Sequence, residues 1–113
     1  MVRRAPYAPD RGDLVWLTFD PRAGHEQRGR RPALVLSPKA YNALVGLGLF
    51  CPVTSQVKNY PFEVALPPKG KITGVVLSDQ IRSLDWRARK AAFVGKAPAE
   101  IVEEVLAKVR TLV

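Results

Sequence analysis

The sequence predicts a small, strongly bent β-barrel that carries an α-helix at its C-terminus. Most of the chain consists of short apolar runs of strand length, separated by proline, glycine and other turn residues. The last segment instead repeats its apolar residues with the 3.6-residue period of a helix. The chain has 113 residues, of which 47% are hydrophobic and 25% charged. We therefore expect one domain over residues 1–113, with a core of its own.

The strand predictions rest on side-chain shape and on the residues that end each run. Residues 14–19 are rich in β-branched and aromatic residues and end at Asp20-Pro21. Residues 62–66 alternate with period two and end at Pro67-Pro68. In chain order, the predicted strands cover residues 14–19, 33–37, 47–54, 62–66, 74–78 and 80–84, with an optional edge strand at 91–94.

The helix prediction covers residues 98–113. Pro98 suits the first helical position, and the glutamates near the start of the segment and Lys108 and Arg110 near its end complement the helix dipole. Residues 39–44 are also compatible with a second, short helix. The apolar stripe of the long helix consists of Ile101, Val102, Val105, Leu106, Val109, Leu112 and Val113.

Composition excludes several classes of protein. Cys51 is the single cysteine, so an internal disulfide is excluded, and His25 is the single histidine, which excludes the usual Cys/His zinc sites. No apolar run approaches the ~20 residues that span a membrane. The first ten residues lack the apolar stretch of a signal peptide. We expect a soluble protein of the reducing cytoplasm, with no membrane contact and no metal or other cofactor.

The charge of the chain points to a polyanionic partner. Lys and Arg number 18 against 10 Asp and Glu, for a net charge of +8. The excess is concentrated in residues 1–31 and 82–96, and arginine predominates over lysine. A concentrated basic field attracts nucleic acid, and arginine favours bidentate contacts to phosphate. A solvated basic surface is the alternative interpretation.

The most unusual stretch is the polar, arginine-rich segment 20–32, which separates two strand-like runs. It is too long for a tight hairpin, and long loops on a rigid scaffold are often functional. Glu26 lies in sequence among Arg28, Arg30 and Arg31, and these cations favour its ionised form. An ordinary surface loop with salt bridges is the alternative. Arg31-Pro32 lies where the segment enters a buried strand, which favours a functional role.

Two shorter polar clusters follow apolar strands. One runs from Thr54 to Tyr60, and the other is Ser78-Asp79-Gln80. By themselves both are also compatible with ordinary turn chemistry.

Five segments together resemble the MazF/PemK family of toxin endoribonucleases. They occur in the order and spacing of that family, from about residue 7 to the C-terminus. The segments are GDLVW at 12–16, GHEQRGRRPALVLS at 24–37, PVTSQ at 52–56, YPFEV at 60–64 and DQIRSLDWRAR at 79–89.

This resemblance implies a fold, an activity and partners. The fold is an SH3-like, plasmid-maintenance-toxin barrel with a C-terminal helix. The implied protein is a homodimer that cuts single-stranded RNA at short sequences without metal. Its products carry 2′,3′-cyclic phosphate and 5′-hydroxyl ends. A cognate antitoxin with an acidic, disordered tail covers the RNA site.

The resemblance also implies catalytic and RNA-binding residues. The catalytic arginine, threonine and glutamate fall on Arg31, Thr54 and Glu26, and the residue that reads a base falls on Asp79. The further candidates for RNA binding are Phe19, His25, Gln27, Arg28, Arg30, Gln56, Lys58 and Gln80.

Several residues have competing interpretations. Phe19 is the aromatic residue that we expect to stack on RNA, whereas we expect Trp16 and Trp86 to pack in the barrel or at a dimer contact. Cys51 is expected to be a buried, inert thiol. His25 is interpreted as an ordinary loop histidine, with a second acid–base group as the alternative.

Two other functions compete with the nuclease. One is a gyrase-poisoning toxin with the same barrel, which relies on C-terminal aromatic residues. This chain ends in Thr111-Leu112-Val113 instead. The other is a basic SH3-like module that binds RNA and leaves it intact.

Overall fold

The computed structural model describes residues 6–19 and 29–113. Within these ranges the chain forms a mainly antiparallel β-structure with two helices, which confirms the predicted fold class. The strands are β1 (Asp13–Thr18), β2 (Arg30–Val35), β3 (Gly48–Thr54), β4 (Glu63–Ala65), β5 (Val75–Leu77), β6 (Arg82–Leu84) and β7 (Ala92–Lys96). The helices are α1 (Lys39–Val45) and α2 (Ala99–Arg110), with a 3₁₀ turn at Ser78–Gln80.

Strand β3 is the centre of the sheet. The sheet order is β4-β5-β3-β2-β1-β7, and β6 also pairs with β3. One edge of β3 pairs with β2, while its other edge pairs first with β6 through Gly48–Phe50 and then with β5 through Val53 and Thr54. Pro52, which has no N–H to donate, lies where β3 changes its partner on this edge. A single strand therefore connects β2 with both β5 and β6.

Strand β2 begins earlier than the sequence predicts. It starts at Arg30, because the ladder with β1 continues through the pairs Leu17–Arg31 and Thr18–Arg30. The apolar pattern alone suggested a start at residue 33. The polar residues at the start of β2 are thus part of a rigid strand.

The sheet has a buried core on each face. One core includes Leu34, Cys51 and Val76 and is covered by Val102, Val105 and Val109 of α2. The other includes Leu17, Phe50 and Trp86. Side chains alternate along a strand, so neighbouring residues of β1 and β2 contribute to opposite cores.

Helix α2 confirms the predicted C-terminal helix, but it ends before the chain does. Its last residue is Arg110, and Leu112 and Val113 are exposed. Neither helix in the described ranges has the length and apolar character needed to cross a membrane.

The fully buried side chain of Asn42 joins four parts of the fold. Its Nδ2 donates to the carbonyl oxygens of Pro9 and Ser37 at 2.8 and 2.9 Å, and its Oδ1 accepts from Ser37 Oγ at 2.6 Å. Trp86 Nε1 donates to the Asn42 carbonyl oxygen at 3.1 Å. This confirms the packing role expected for Trp86. The network connects the N-terminal segment, the end of β2, α1 and the turn after β6.

We expect Asn42→Leu to lower the free energy of unfolding by about 3 kcal/mol, because it leaves buried polar groups of Pro9 and Ser37 without partners. Urea denaturation at one fixed protein concentration measures this loss. The control is Leu44→Ala on the exposed side of α1, which should change stability by less than about 0.5 kcal/mol. Equal stability of the two variants would contradict the role assigned to Asn42.

Candidate active site

An open cleft of about 540 Å³ lies at the end of the sheet where β2 begins and β3 ends. Its walls combine cationic, hydroxyl, amide and apolar side chains. The lining residues are Trp16, Arg30, Arg31, Pro32, Val53, Thr54, Ser55, Gln56, Lys71, Ile72 and Thr73. An open, cationic cleft of this kind suits an extended anionic polymer.

The ladder between β2 and β3 brings Arg31 close to Thr54. The strands pair Val35 with Phe50 and Ala33 with Pro52. Continuing this antiparallel register by two residues sets Arg31 opposite Thr54, and opposite residues of an antiparallel pair share a face. Both residues line the cleft, and Arg31 is exposed. Two of the three residues that the family resemblance marks as catalytic therefore lie in one site.

The hydroxyl group of Thr54 is oriented by the turn that follows β3. Its Oγ1 accepts the backbone N–H of Gln56 at 3.1 Å. Because that bond uses an acceptor site of the oxygen, the hydroxyl hydrogen is left to donate elsewhere. Thr54 is half-buried, so its hydroxyl has a limited choice of partners.

Gly74 packs directly against the backbone of Thr54. It has a φ of +108°, and a Cβ at this position would overlap the Thr54 carbonyl oxygen. Glycine is therefore required here both for its backbone conformation and for the close approach. This contact fixes the start of β5, and with it the segment 71–73, against the end of β3.

Arg30 has most of its hydrogen-bonding capacity engaged within the protein. Its Nη2 donates to the carbonyl oxygens of Lys90 at 2.8 Å and Trp16 at 3.3 Å, and its Nη1 donates to Thr18 Oγ1 at 3.3 Å. The guanidinium is thus a fixed positive charge beside the cleft. Three of its five N–H groups have internal partners, so its contribution to an anionic ligand is mainly electrostatic.

A second, smaller cavity of about 140 Å³ adjoins the cleft and shares Thr54 and Gln56 with it. The segment that borders it is held in place by Glu63. The carboxylate of Glu63 accepts the backbone N–H groups of Lys58 and Asn59, each at 2.9 Å. The other lining residues are Lys58, Tyr60, Glu63, Leu77 and Gln80. The expected RNA-binding residues Gln56, Lys58 and Gln80 therefore come together around one cavity.

Asp79 lies beside this cavity with one oxygen already in use. The Tyr60 hydroxyl donates to Asp79 Oδ1 at 2.7 Å. This hydrogen bond, together with desolvation, raises the pKa of Tyr60 to about 12. Tyr60 therefore stays protonated at neutral pH and continues to donate. Asp79 is exposed, and its remaining oxygen lone pairs are the ones open to a ligand.

Phe19 and Trp16, at and near the end of β1, differ in their exposure. Phe19 is buried in the core that contains Trp86, and the Arg82 guanidinium lies 5.7 Å from the centre of its ring. It does not offer the free face that we expected for stacking on RNA. Trp16, expected to pack in the barrel or at a dimer contact, is 41% exposed in the single chain and lines the cleft, so it is not part of the barrel core.

Four predicted site residues, Glu26, His25, Gln27 and Arg28, lie outside the described residues. Within the described ranges, no three His, Cys, Asp or Glu side chains are grouped as metal ligands. Cys51 is buried, which raises the pKa of its thiol to about 12. This agrees with the inert role expected for it.

Sequence reasoning missed Trp16, Lys71 and the packing of Gly74. A signal existed for Trp16, since the period-two alternation of β1 sets it on the face opposite the buried Val15 and Leu17. Lys71 belongs to a lysine- and glycine-containing turn that resembles many solvated loops. The contact of Gly74 with Thr54 depends on tertiary structure and has no local signal.

Comparison with known proteins identifies the family. Residues 10–113 match the family model described as PemK-like, MazF-like toxin of type II toxin-antitoxin system. The chain is 48% identical to the endoribonuclease toxin MazF of Escherichia coli strain K12 over 113 residues, which cover 100% of this chain and 99% of that protein.

Solved structures agree with this match. The crystal structure of MazF (Form-I) from Deinococcus radiodurans superposes with a TM-score of 0.86 at 59% identity, covering 95% of this chain and 97% of the other. The MazF chain of a MazE–MazF crystal structure (Form-II) from the same organism gives a TM-score of 0.85 at 53% identity, covering 95% and 96%. The chain therefore belongs to the PemK-like, MazF-like toxin family of type II toxin–antitoxin systems.

Proposed function

We propose that this chain is a sequence-specific, metal-independent endoribonuclease and the toxin of a type II toxin–antitoxin pair, acting as a single domain over residues 1–113. One observation carries the proposal. Arg31 and Thr54 line one open cationic cleft, on adjacent strands of a chain whose curated relative is an endoribonuclease toxin. By cutting RNA, such a toxin inhibits translation and growth.

The reaction is the attack of an RNA 2′-hydroxyl on the adjacent phosphate. The 2′-oxygen loses a proton and bonds to phosphorus, and the bond from phosphorus to the 5′-oxygen breaks. The products are a 2′,3′-cyclic phosphate and a 5′-hydroxyl, which receives a proton. Catalysis must therefore remove one proton, supply another and neutralise the pentavalent phosphorane.

Arg31 stabilises the phosphorane in this proposal. Its guanidinium is permanently charged and forked, so it can bind two phosphoryl oxygens at once. A guanidinium is a poor base, so Arg31 acts through its charge and its hydrogen bonds. Arg31 belongs to strand β2 and not to the polar segment before it, so a regular strand holds its charge in position.

Thr54 donates its hydroxyl hydrogen to the same phosphoryl oxygens. The Gln56 N–H that binds Thr54 Oγ1 supports this orientation. Glu26, which the family motif marks as catalytic, is the candidate base for the 2′-hydroxyl or the group that orients Arg31. His25 is not required by this scheme.

Base selection is proposed for the smaller cavity beside Thr54. Gln56 and Gln80 offer amide donors and acceptors for a base edge, and Lys58 offers a charge for the backbone. Asp79 takes part with the carboxylate lone pairs that Tyr60 leaves open. Gln27 and Arg28 are further candidates from the family motif.

The proposed partners are single-stranded RNA, an acidic cognate antitoxin and a second copy of the chain. Antitoxin binding is supported by the net charge of +8 and by the MazE–MazF complex of a relative. An apolar face suits the dimer contact: Tyr41, Leu49, Ile81 and Leu106 line a depression of about 380 Å³ there. We propose that the toxin acts in the cytoplasm, where its RNA substrates are.

We expect Arg31→Ala to lower kcat/KM for RNA cleavage by at least ~10²-fold, because it removes the charge that stabilises the phosphorane. Thr54→Val, which keeps the shape and removes the hydroxyl, should also lose activity, while Thr54→Ser should recover most of it. Single-turnover cleavage of a labelled RNA measures all three variants. Arg110→Ala, an exposed arginine of α2, is the matched control and should cleave normally. Near-normal cleavage by folded Arg31→Ala would refute its assigned role.

In excess EDTA, we expect the purified protein to cleave a mixed-sequence single-stranded RNA and to leave its all-deoxy counterpart intact, because DNA has no 2′-hydroxyl. Mass spectrometry of the fragments should find 2′,3′-cyclic phosphate ends. Cleavage of the deoxy strand, or loss of RNA cleavage that added Mg²⁺ restores, would contradict the mechanism. Binding of RNA without any cleavage would favour the non-catalytic module.

A further inference from the structure

Trp16 is an exposed aromatic residue at a position where β1 otherwise fills the core. On its face of the sheet, Leu14 is 7% exposed and belongs to the core, whereas Trp16 is 41% exposed. Trp16 is also the one aromatic side chain among the described residues that line the cleft. Its indole therefore presents a large flat surface to whatever the cleft binds.

The surroundings of Trp16 are rigid on one side and cationic on the other. Its cross-strand neighbour on β2 is Pro32, and its carbonyl oxygen accepts from Arg30 Nη2 at 3.3 Å. Lys71 contributes a second positive charge to the cleft lining, and the adjacent Ile72 anchors that segment in the core. An aromatic ring beside cationic side chains is a common feature of sites that bind single-stranded nucleic acid.

Trp16 also lies very close to the proposed catalytic residues along the sheet. Pro32, its partner across the ladder, directly follows Arg31 in β2. Because side chains alternate, Trp16 and Pro32 lie on the face opposite Leu17 and Arg31. The cleft spans the end of the sheet, so residues of both faces line it. An RNA strand with a phosphate at Arg31 can therefore pass the start of β2 and reach the Trp16 indole.

We propose that the Trp16 indole is a stacking platform for a base of the bound RNA strand next to the scissile phosphate. This proposal rests on the proposed endoribonuclease function. Arg30 and Lys71 attract the phosphates that flank the stacked base. Stacking is tolerant of base identity, so Trp16 supplies affinity and strand alignment, while the cavity around Gln56 and Gln80 supplies selectivity.

Tryptophan fluorescence gives a direct test, because the chain has two tryptophans and Trp86 is buried. The probe is a fully 2′-O-methylated RNA, which cannot be cleaved. Titration of the wild-type protein with this RNA should quench the emission and protect it from acrylamide. The same titration of Trp16→Phe, which leaves Trp86 as the one tryptophan, should cause no change in tryptophan emission. Unchanged emission of the wild-type protein at saturating RNA would overturn the proposal.

Affinity measurements distinguish stacking on a flat aromatic ring from contact with any apolar side chain. We expect Trp16→Ala and Trp16→Leu to raise the Kd for the 2′-O-methylated RNA by about 5- to 100-fold, and Trp16→Phe by less than about 3-fold. For cleavable RNA, KM should rise with little change in kcat, since stacking stabilises substrate and transition state alike. Phe93→Leu changes another exposed aromatic residue, on β7, in the same way. It should alter neither the Kd for the 2′-O-methylated RNA nor the KM for cleavable RNA.

Two outcomes keep this proposal distinct from the proposed function. If the wild-type protein cleaves RNA and Trp16→Leu binds RNA as tightly as wild type, the stacking role is wrong and the nuclease stands. If the wild-type protein neither cleaves nor binds RNA, the proposed function fails, and the stacking role fails with it. Thermal unfolding of each variant identifies any loss of the fold.

Discussion

The antiparallel pairing of β2 with β3 is the constraint on which the proposed site depends. A register of Ala33 with Pro52 brings Arg31 and Thr54 to the same end of the sheet. A shift by one residue would turn one of these two side chains to the opposite face. The same pairing is fixed by the buried residues Leu34, Val35, Phe50 and Cys51. The core that stabilises the fold therefore also aligns the reactive groups.

Hydrogen bonds within the protein hold several polar residues of the site in position. Glu63 holds the backbone of the segment after β3, Tyr60 holds Asp79, and Arg30 is bonded across to β1. Such preorganisation lowers the cost of ordering side chains when an anionic substrate binds. The two arginines also differ in role. Arg30 is hydrogen-bonded to carbonyl oxygens of the protein, whereas Arg31 is exposed in the cleft.

Much of the fold could be predicted from sequence, because the strands and α2 have strong local patterns and clear turn residues. The start of β2 could not, since the pairing of Arg30 and Arg31 with β1 overrides their polar character. The burial of Phe19 has a similar cause. Proximity to a polar segment suggested an exposed Phe19, but tertiary packing buries it in the core that contains Trp86. The cationic character of the site followed from arginine content, whereas the closeness of Gly74 to Thr54 required the folded structure.

A structure of the protein bound to a fully 2′-O-methylated single-stranded RNA tests the central claim most directly, because this ligand retains the phosphates and cannot react. The account predicts one phosphate within hydrogen-bonding distance of both the Arg31 guanidinium and the Thr54 hydroxyl, in the cleft at the end of β3. RNA bound on another surface, or in the cleft with no phosphate near either group, would contradict it.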